Sequence, residues 1–274
     1  MRHTRTSILA AALLALTAAG FAMAPGAQAA TANCTPDAVT TTLNGLFGGP
    51  APVGTPYTCT IPVHPGARID VAGSHGGSGG GCTANFVFRG SDGRDYLGTA
   101  GHCTLAESNI SGDVGEFADA NGAVVKDANG RRIGQIAYAI QRDPYDFALI
   151  RLDTGIAFDK ALPHWGAPTG TNTSTSASPT VLNWVGHGTV IGDVLYARSG
   201  LALGTSDPNQ IAAVGLIAPG DSGGPVVDSS GRAVGVNVAL GVALGTEPGV
   251  QFITRIAPQL ARATALTGVT FTLA

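Results

Sequence analysis

The sequence predicts an all-β protein, and both its composition and its pattern of apolar runs support that prediction. Of its 274 residues, 40 are glycine and only 12% are charged. Glycine supplies the positive-φ conformations of tight turns and weakens helices. Short apolar runs recur between these turn residues, which is typical of strands joined by short connections.

Five apolar runs in the first half of the chain are predicted strands, because each contains β-branched or aromatic residues and is bounded by turn formers. They span residues 84–88, 95–99, 123–126, 133–140 and 147–152. The stretch 166–180 is dense in Ser, Thr, Pro and Gly, and it predicts a solvated connection.

Seven further runs in the second half of the chain are also predicted strands. They span residues 181–185, 189–191, 194–197, 211–213, 225–227, 234–239 and 250–253. Residues 256–267 instead place their apolar side chains at helical spacing, which predicts a helix near the C-terminus.

The first 29 residues have the features of a secretory signal peptide. Arg2 and Arg5 form a basic start, 8–24 is an almost unbroken apolar stretch, and Ala-Gln-Ala at 27–29 is a small-residue cleavage pattern. We therefore expect a secreted, extracellular protein whose mature chain begins at Ala30.

The mature chain is acidic overall. Without Arg2 and Arg5, the 15 basic residues fall to 13 against 18 acidic ones, which gives a net charge of −5. The sequence contains no basic cluster, so we expect no nucleic-acid partner and, after signal removal, no membrane partner. We expect a monomer.

Residues 30–81 are predicted to form an N-terminal extension ahead of the main domain, 82–274. Repeated prolines between residues 50 and 65 exclude a long element, and the Gly- and Ser-rich stretch 73–81 predicts a flexible linker. The extension is either a surface spacer or a propeptide that is removed, and the sequence leaves both interpretations open.

Four cysteines, Cys34, Cys59, Cys82 and Cys103, belong to the exported part of the chain. Two disulfides are expected in an oxidising compartment, and three connectivities are open. No pair has Cys-x-x-Cys spacing and no histidine cluster accompanies them, so we expect no metal and no cofactor.

The tetrapeptide Asp-Ala-Asn-Gly occurs twice, beginning at Asp119 and at Asp127. Asp-x-Asn-Gly is a fragment of a calcium loop, but no glutamate closes either copy. Asn-Gly ahead of an apolar strand is typical of a hairpin turn, which is the interpretation that we favour.

The most informative motif is Pro-Gly-Asp-Ser-Gly-Gly-Pro-Val at 219–226, which puts Ser222 on a tight turn. Glycine lets the backbone approach a substrate carbonyl and aim N–H groups at it. A serine hydroxyl is a weak nucleophile unless a base and an orienting acid accompany it. Thr-Ala-Gly-His-Cys at 99–103 supplies His102, and Asp-Phe-Ala-Leu-Ile at 146–150 supplies Asp146.

These motifs, in the order His, Asp, Ser with spacings of 44 and 76 residues, resemble those of the chymotrypsin-like serine peptidases of the secreted bacterial type. The resemblance covers about residues 82–265. It implies two six-stranded antiparallel Greek-key β-barrels, at about 82–165 and 181–255, with a short C-terminal helix and the active site in the cleft between them. It also implies a Cys82–Cys103 disulfide, which leaves Cys34–Cys59 as the second.

The resemblance implies a role for each site residue. His102 is the general base, Ser222 is the nucleophile, and Asp146 holds His102 in the required tautomer. The N–H groups of Gly220 and Ser222 form the oxyanion hole. Asp146 is preferred to Asp143 because it directly precedes an apolar strand, whereas Asp143 lies beside a proline.

The sequence departs from the resembling family in the partner of Asp221 and in the residue that supports the orienting acid. Asp221 is expected to pair with a buried cation, but no Ile-Val-Gly-Gly-type start exists to supply an amino terminus. We therefore expect an internal partner, which the sequence does not identify. The serine that commonly supports the orienting acid is also replaced, with Asn237 or Val238 in its place.

The sequence predicts no charged residue at the base of the pocket that binds the substrate side chain before the scissile bond. The loop 215–218 contains no acid, and Glu247 lies beside a proline where the resemblance implies the rim of the pocket. No cysteine follows Cys103, so the disulfide that usually ties this pocket is missing. We expect an apolar or small residue before the scissile bond.

Together these features predict a secreted serine endopeptidase that acts on protein or peptide substrates. Two alternatives stay open: a catalytically idle homologue that serves as an extracellular binding protein, and an esterase with the same triad. All three triad members are present, which favours the peptidase.

Overall fold

Antiparallel β-sheets dominate the part of the chain that the structure describes. The computed structural model describes residues 33–36, 57–106, 113–118, 122–174, 180–189, 196–204, 207–240 and 250–274. The predicted signal peptide, 1–29, and Ala30 lie outside these residues. A short ribbon comes first and consists of β1 (Cys34–Pro36) and β2 (Tyr57–Cys59).

The first large sheet has nine strands. Its strands are β3 (Arg68–Ala72), β4 (Gly79–Thr83), β5 (Val87–Gly90), β6 (Asp95–Thr99), β7 (Gly115–Ala118), β8 (Val124–Asp127), β9 (Arg132–Arg142), β10 (Tyr145–Leu152) and β17 (Phe271–Leu273). Neighbours follow the order β17-β5-β6-β10-β9-β8-β3-β4, and β7 pairs with β9.

The second sheet is a closed barrel of six strands. Its strands are β11 (Val181–Val185), β12 (Ala197–Gly204), β13 (Gln210–Val214), β14 (Pro225–Asp228), β15 (Ala233–Leu240) and β16 (Val250–Arg255). They follow the order β11-β12-β13-β16-β15-β14, and β14 pairs back to β11. Trp184 fills this barrel because Gly200 and Gly215 leave room for its ring, which lies within 2.5 Å of where either glycine's Cβ would stand.

Two short helices complete the described part of the chain. Helix α1 (His102–Leu105) follows β6, and α2 (Ile256–Thr267) follows β16. The predicted C-terminal helix is confirmed, and Gly268 ends it in the left-handed conformation with φ of 72°. Within the described ranges, no helix has the length and apolar character that crossing a bilayer requires.

The predicted all-β, two-barrel fold class is confirmed, with a difference in the first half. The second barrel is closed and six-stranded as expected, whereas the first is a curled half-barrel within the nine-stranded sheet. Strand β17 was not predicted, because three residues give too little pattern to recognise. Of the predicted strand 194–197, only Ala197 lies in β12, which continues to Gly204 although Gly200 interrupts its apolar pattern. Residues 194 and 195, and 190 and 191 of the predicted strand 189–191, lie outside the described residues.

The first sheet begins before residue 82, where the sequence places the start of the main domain. Strand β3 pairs with both β4 and β8, so residues 68–72 belong to the sheet. Residues 73–78 connect β3 to β4, and 79–81 belong to β4 itself, so the Gly-rich stretch 73–81 is not a free linker. Gly73, Gly77 and Gly79 pack closely against their neighbours: a Cβ on Gly77 would lie 2.2 Å from the Thr104 carbonyl oxygen.

Both predicted disulfides are confirmed. Cys82–Cys103 ties β4 to α1, and Cys34–Cys59 joins β1 to β2. The second Asp-Ala-Asn-Gly copy forms the hairpin turn between β8 and β9, where the Asp127 carboxylate accepts hydrogen bonds from the N–H groups of Asn129 and Arg131. The first copy, at 119–122, lies mostly outside the described residues.

Candidate active site

Asp146 contacts His102 through both of its carboxylate oxygens. Its Oδ2 lies 2.7 Å from the His102 Nδ1, and its Oδ1 accepts from the His102 backbone N–H at 2.9 Å. A carboxylate can only accept, so Nδ1 carries the proton and Nε2 of the neutral ring is a free base. The side chains are 8% and 14% exposed, which shelters the pair from water.

The local chain explains why the two residues meet. His102 begins α1 directly after Gly101, and a Cβ on Gly101 would lie 1.8 Å from the Ile140 carbonyl oxygen. Only glycine therefore lets this turn lie against β9. Ile140 is opposite Phe147 in the β9–β10 pairing, so the turn that carries His102 lies beside the start of β10, where Asp146 is the second residue.

Asp143, the alternative acid, has a different partner. Its Oδ1 accepts a hydrogen bond from Gln210 Nε2 at 3.3 Å, and the residue is exposed. Of the two acids, Asp146 is the one in contact with His102.

Ser222 lies on a turn that β4 of the first sheet holds in place. The Thr83 N–H donates to the Ser222 carbonyl oxygen at 2.8 Å. Asn85 Nδ2 donates to the Gly223 carbonyl oxygen at 2.9 Å. A Cβ on Gly223 would lie 3.0 Å from the backbone nitrogen of Ala100, two residues before His102. The Ser222 turn thus packs against the strand end that leads to His102.

Of the three predicted triad residues, two are in direct contact in the structure. His102 and Asp146 are in hydrogen-bond contact, whereas the Ser222 hydroxyl forms no hydrogen bond with any described residue. Ser222 is partly exposed. Nucleophile–base hydrogen bonds are often loose before substrate binds.

The two predicted oxyanion-hole amides are available for a ligand. Among the described backbone groups, neither the Gly220 N–H nor the Ser222 N–H has an acceptor. Gly220 adopts φ of 101°, a conformation that favours glycine. Thr83 Oγ1 donates to the Gly220 carbonyl oxygen at 2.7 Å, which holds the Gly220–Asp221 peptide that links these two amides.

Arg198 is the internal partner of Asp221 that the sequence did not identify. Its Nη1 and Nη2 donate to Oδ2 and Oδ1 at 2.6 Å each, in a pair that is 4% and 0% exposed. The N–H groups of Gly188 and Ala218 complete the acceptor set of the carboxylate, at 2.7 and 2.8 Å. A bidentate pair of this kind is geometrically specific, so it fixes the turn before Ser222.

The sequence did contain a signal for this pair. Between residues 166 and 250 the sequence has no lysine and two arginines, Arg198 and Arg232. Arg232 follows the turn at Asp228 and pairs with that residue. The glycines at 186 and 188 were a second signal. A Cβ on either would lie within 2.5 Å of an Asp221 carboxylate oxygen.

Asn237 and Val238 are both buried near the Ser222 turn. The backbone of Asn237 exchanges hydrogen bonds with Gly223 and Gly224, at 2.7 and 2.9 Å. Its side-chain amide has no hydrogen-bond partner among the described residues, so it does not replace the expected serine as a support for Asp146. Glu247 and the rest of 241–249 lie outside the described residues.

Two groups of Cys and His side chains lie close enough to suggest metal sites. Their ligand atoms fall within 4.8 Å in Cys34–Cys59–His64 and in Cys82–Cys103–His102. All four sulfurs are in disulfides, however, and metals bind the thiolate. These groups therefore show how close each disulfide lies to a histidine.

Comparison with known proteins identifies the family. Residues 82–236 match the family described as the trypsin-like peptidase domain. No curated protein matches the chain with significance. Thermobifida fusca Protease A resembles the structure with a TM-score of 0.51 and 17% identity, over 77% of this chain and 99% of that one. Nocardiopsis protease NAPase resembles it with a TM-score of 0.50 and 18% identity, over 76% and 98%.

The likeness to these two bacterial proteases concerns the fold, whereas the matched family covers more than half of the chain and includes the segments with His102, Asp146 and Ser222. The chain belongs to the trypsin-like peptidase family, and its enzyme class is that of a serine-type endopeptidase.

Proposed function

We propose that this protein is a secreted endopeptidase that hydrolyses peptide bonds through an acyl-enzyme on Ser222, with His102 as base and Asp146 as the orienting acid. The observation that carries this proposal is the two-point contact of Asp146 with His102, at 2.7 and 2.9 Å. A carboxylate that binds both Nδ1 and the backbone N–H of one histidine fixes the tautomer and the orientation of the ring.

The first half of the reaction begins with attack of the Ser222 Oγ on the carbonyl carbon of the scissile peptide. His102 Nε2 takes the hydroxyl proton, and the imidazolium that forms is stabilised by Asp146. The negative charge moves to the carbonyl oxygen, which the N–H groups of Gly220 and Ser222 bind. The carbon–nitrogen bond then breaks, and His102 gives its proton to the leaving amine.

The second half of the reaction hydrolyses the ester. Water enters where the amine has left, and His102 Nε2 takes one of its protons as its oxygen attacks the acyl carbon. The same two amides bind the second oxyanion. When the bond to Ser222 Oγ breaks, His102 returns the proton to the serine, which releases the acid product and restores the enzyme.

The buried Arg198–Asp221 pair supports the oxyanion hole in this proposal. It holds the peptide between Gly220 and Ser222 from inside the second barrel, without an amino terminus freed by processing. The enzyme therefore folds directly into its active arrangement.

We infer the substrate preference and the location of the protein from its sequence and its disulfides. Leu216 is 59% exposed on the loop before Ser222, and 215–218 contains no acid. We propose an apolar or small residue before the scissile bond. The sequence of 1–29 and the two disulfides favour secretion.

Hydrolysis of a denatured protein, with every product identified by mass spectrometry, tests this proposal. We expect internal cleavage that Ser222→Ala abolishes while the variant keeps the thermal unfolding temperature of the wild type. Stoichiometric binding without cleavage would instead support the idle binding protein. Turnover of small esters with no cleavage of any peptide would support the esterase.

A further inference from the structure

A cavity of about 800 Å³ opens beside Gly220. It lies between the first sheet, the second barrel and the β1–β2 ribbon, and its lining includes Gly220, Cys82, His187 and Tyr57. Pockets of about 300–1,000 Å³ are typical of sites that bind small molecules or short peptide segments. We call it the Arg68 cavity, after a charged residue of its lining.

The position of the Arg68 cavity relates it to one side of the scissile bond. Cys82 lines it, and the Cys82 and Cys103 sulfurs lie within 4.8 Å of a ring nitrogen of His102. His102 gives its proton to the leaving amine in the proposed mechanism. The cavity therefore adjoins the proposed oxyanion hole and the disulfide beside His102, the residue that protonates the amine half of the substrate as it leaves.

The part of the cavity wall that strand β2 forms is anchored to the rest of the protein. Tyr57 shares a hydrogen bond with His164 Nδ1 at 3.0 Å, and the Cys34–Cys59 disulfide closes the ribbon. Asn33 Nδ2 donates to Asp159 Oδ2 at 2.8 Å. Residues 57–62 thus form part of a built cavity and not a loose spacer.

The permanent charge of the described cavity lining is positive. Among the described residues that line it, only Arg68 carries a permanent charge, and none is an acid. Arg68 is exposed and makes no ion pair or hydrogen bond with the described residues. Burial lowers the pKa of His64, another lining residue, to about 4, so that ring is neutral near pH 7.

The charged side chains on the strands next to Arg68 do not cancel it. Asp70 follows on the same face of β3, and its carboxylate lies beside Gly81 of the cavity lining, but it forms no ion pair with Arg68. Lys126 is the cross-strand neighbour of Asp70 on β8. Arg131, which is exposed, follows Asp127 in the β8–β9 turn. The Asp127 carboxylate is buried and already accepts two backbone N–H groups. The surroundings of the cavity are therefore positive on balance.

We propose that the Arg68 cavity binds the substrate residues that follow the scissile bond, and that Arg68 selects an acidic side chain among them. This inference rests on the proposed function. Peptide substrates offer negative charge mainly as Asp and Glu side chains, and a guanidinium with no partner among the described residues is well suited to a carboxylate.

The test uses peptides that share one acyl half, taken from a cleavage found in a denatured protein. Each is amidated at the C-terminus and carries Glu, Gln or Lys at one of the first three positions after the scissile bond. We expect kcat/KM to be about fivefold higher for Glu than for Gln at one position, which is the scale of an exposed or partly sheltered ion pair. The Arg68→Ala variant should lose this ratio, and Arg68→Glu should favour Lys.

Arg94→Ala is the matched control, because Arg94 is an exposed arginine in the turn between β5 and β6 and does not line the cavity. It should keep the wild-type ratio. A second measurement needs no variant: in about 1 M salt, where the screening length falls to about 3 Å, the Glu preference of the wild type should shrink.

Equal rates for Glu and Gln, or a preference that survives in Arg68→Ala, would overturn the inference. So would a preference that appears only for a peptide with a free C-terminal carboxylate. An activated p-nitrophenyl ester, which has no residues after the scissile bond, separates this failure from failure of the proposed function. Wild-type protein that neither hydrolyses the ester nor cleaves any peptide would overturn both.

Discussion

Arg198 and Asp221 face each other inside the second barrel with two parallel hydrogen bonds of 2.6 Å, one residue away from Ser222. Leu216 and Gly186 accept further hydrogen bonds from the guanidinium through their carbonyl oxygens, at 3.2 and 3.0 Å. The pair thus links strand β12 to the turn that carries the proposed nucleophile.

Replacing Arg198 by Met should damage both stability and activity. The change leaves the Asp221 carboxylate buried without its cation, which costs about 3–5 kcal/mol of unfolding free energy in comparable buried pairs. We expect the midpoint of urea unfolding to fall and the kcat of any remaining folded protein to drop. Urea titration at pH 7, with ester hydrolysis at each concentration, measures both.

Arg132→Met is the control for this experiment. Arg132 pairs with Asp153 at 2.8 Å, and the two side chains are 49% and 40% exposed. An exposed pair contributes about 0–1 kcal/mol, so this variant should stay near the wild type. Similar losses in the two variants would contradict the role that we give to Arg198.

Thr83→Val should reduce kcat more than it changes KM. The Thr83 hydroxyl donates to the Gly220 carbonyl oxygen at 2.7 Å and accepts from the His187 N–H at 3.2 Å. That carbonyl belongs to the Gly220–Asp221 peptide, which links the two peptides that carry the proposed oxyanion-hole N–H groups. Loss of one hydrogen bond of about 1.4 kcal/mol there corresponds to about tenfold in kcat. Thr272→Val, at an exposed threonine on β17, should have no effect on steady-state kinetics. An unchanged kcat in Thr83→Val would show that the hydroxyl does not position Gly220.

Asp146→Asn and Asp143→Asn should differ by orders of magnitude. An asparagine at 146 can no longer hold the His102 tautomer, and the comparable change lowers kcat about 10⁴-fold in a well-formed triad. Asp143 contacts Gln210 instead, so its replacement should leave kcat nearly unchanged. Steady-state kinetics on one ester substrate compares them directly. Equal effects would refute the assignment of Asp146.

His64 should make the protein less stable as the pH falls from 7 to 4.5. Burial lowers its folded-state pKa to about 4, against about 6.5 in the unfolded chain, and Nδ1 donates to the Pro65 carbonyl oxygen as a neutral ring. Between these values the unfolded chain binds a proton that the folded protein does not, so stability is complete above pH 6.5 and is lost toward pH 4.

The expected loss from His64 alone is about 2 kcal/mol between pH 7 and pH 4.5. In His64→Gln this part of the pH dependence should disappear, although the variant is less stable at pH 7. Urea unfolding at both pH values gives the comparison. The same slope in both proteins would show that His64 titrates normally in the folded state.

Much of the fold could be predicted from sequence because it depends on local pattern. Apolar runs bounded by turn residues located most strands, and helical spacing located α2. The stretch 73–81 was misinterpreted because composition alone does not distinguish glycine that gives flexibility from glycine that allows close packing. Gly77 lies against the Thr104 carbonyl oxygen, a contact between residues that only the folded chain brings together.

The site was predictable where its chemistry lies in short motifs, as at His102 and Ser222. Arg198 was not identified, because its role depends on which way a strand residue faces and on a partner 23 positions away. The Arg68 cavity could not be foreseen for the same reason. It is formed between two sheets and the ribbon, and no single segment contains it.

The most direct test of the central claim is a fluorophosphonate probe, applied at pH 8 to the purified protein and to Ser222→Ala. Mass spectrometry then maps the labelled residue. We expect one adduct, on Ser222, that is absent from the variant. No adduct on a folded wild-type protein, or an adduct on another residue that persists in Ser222→Ala, would contradict it.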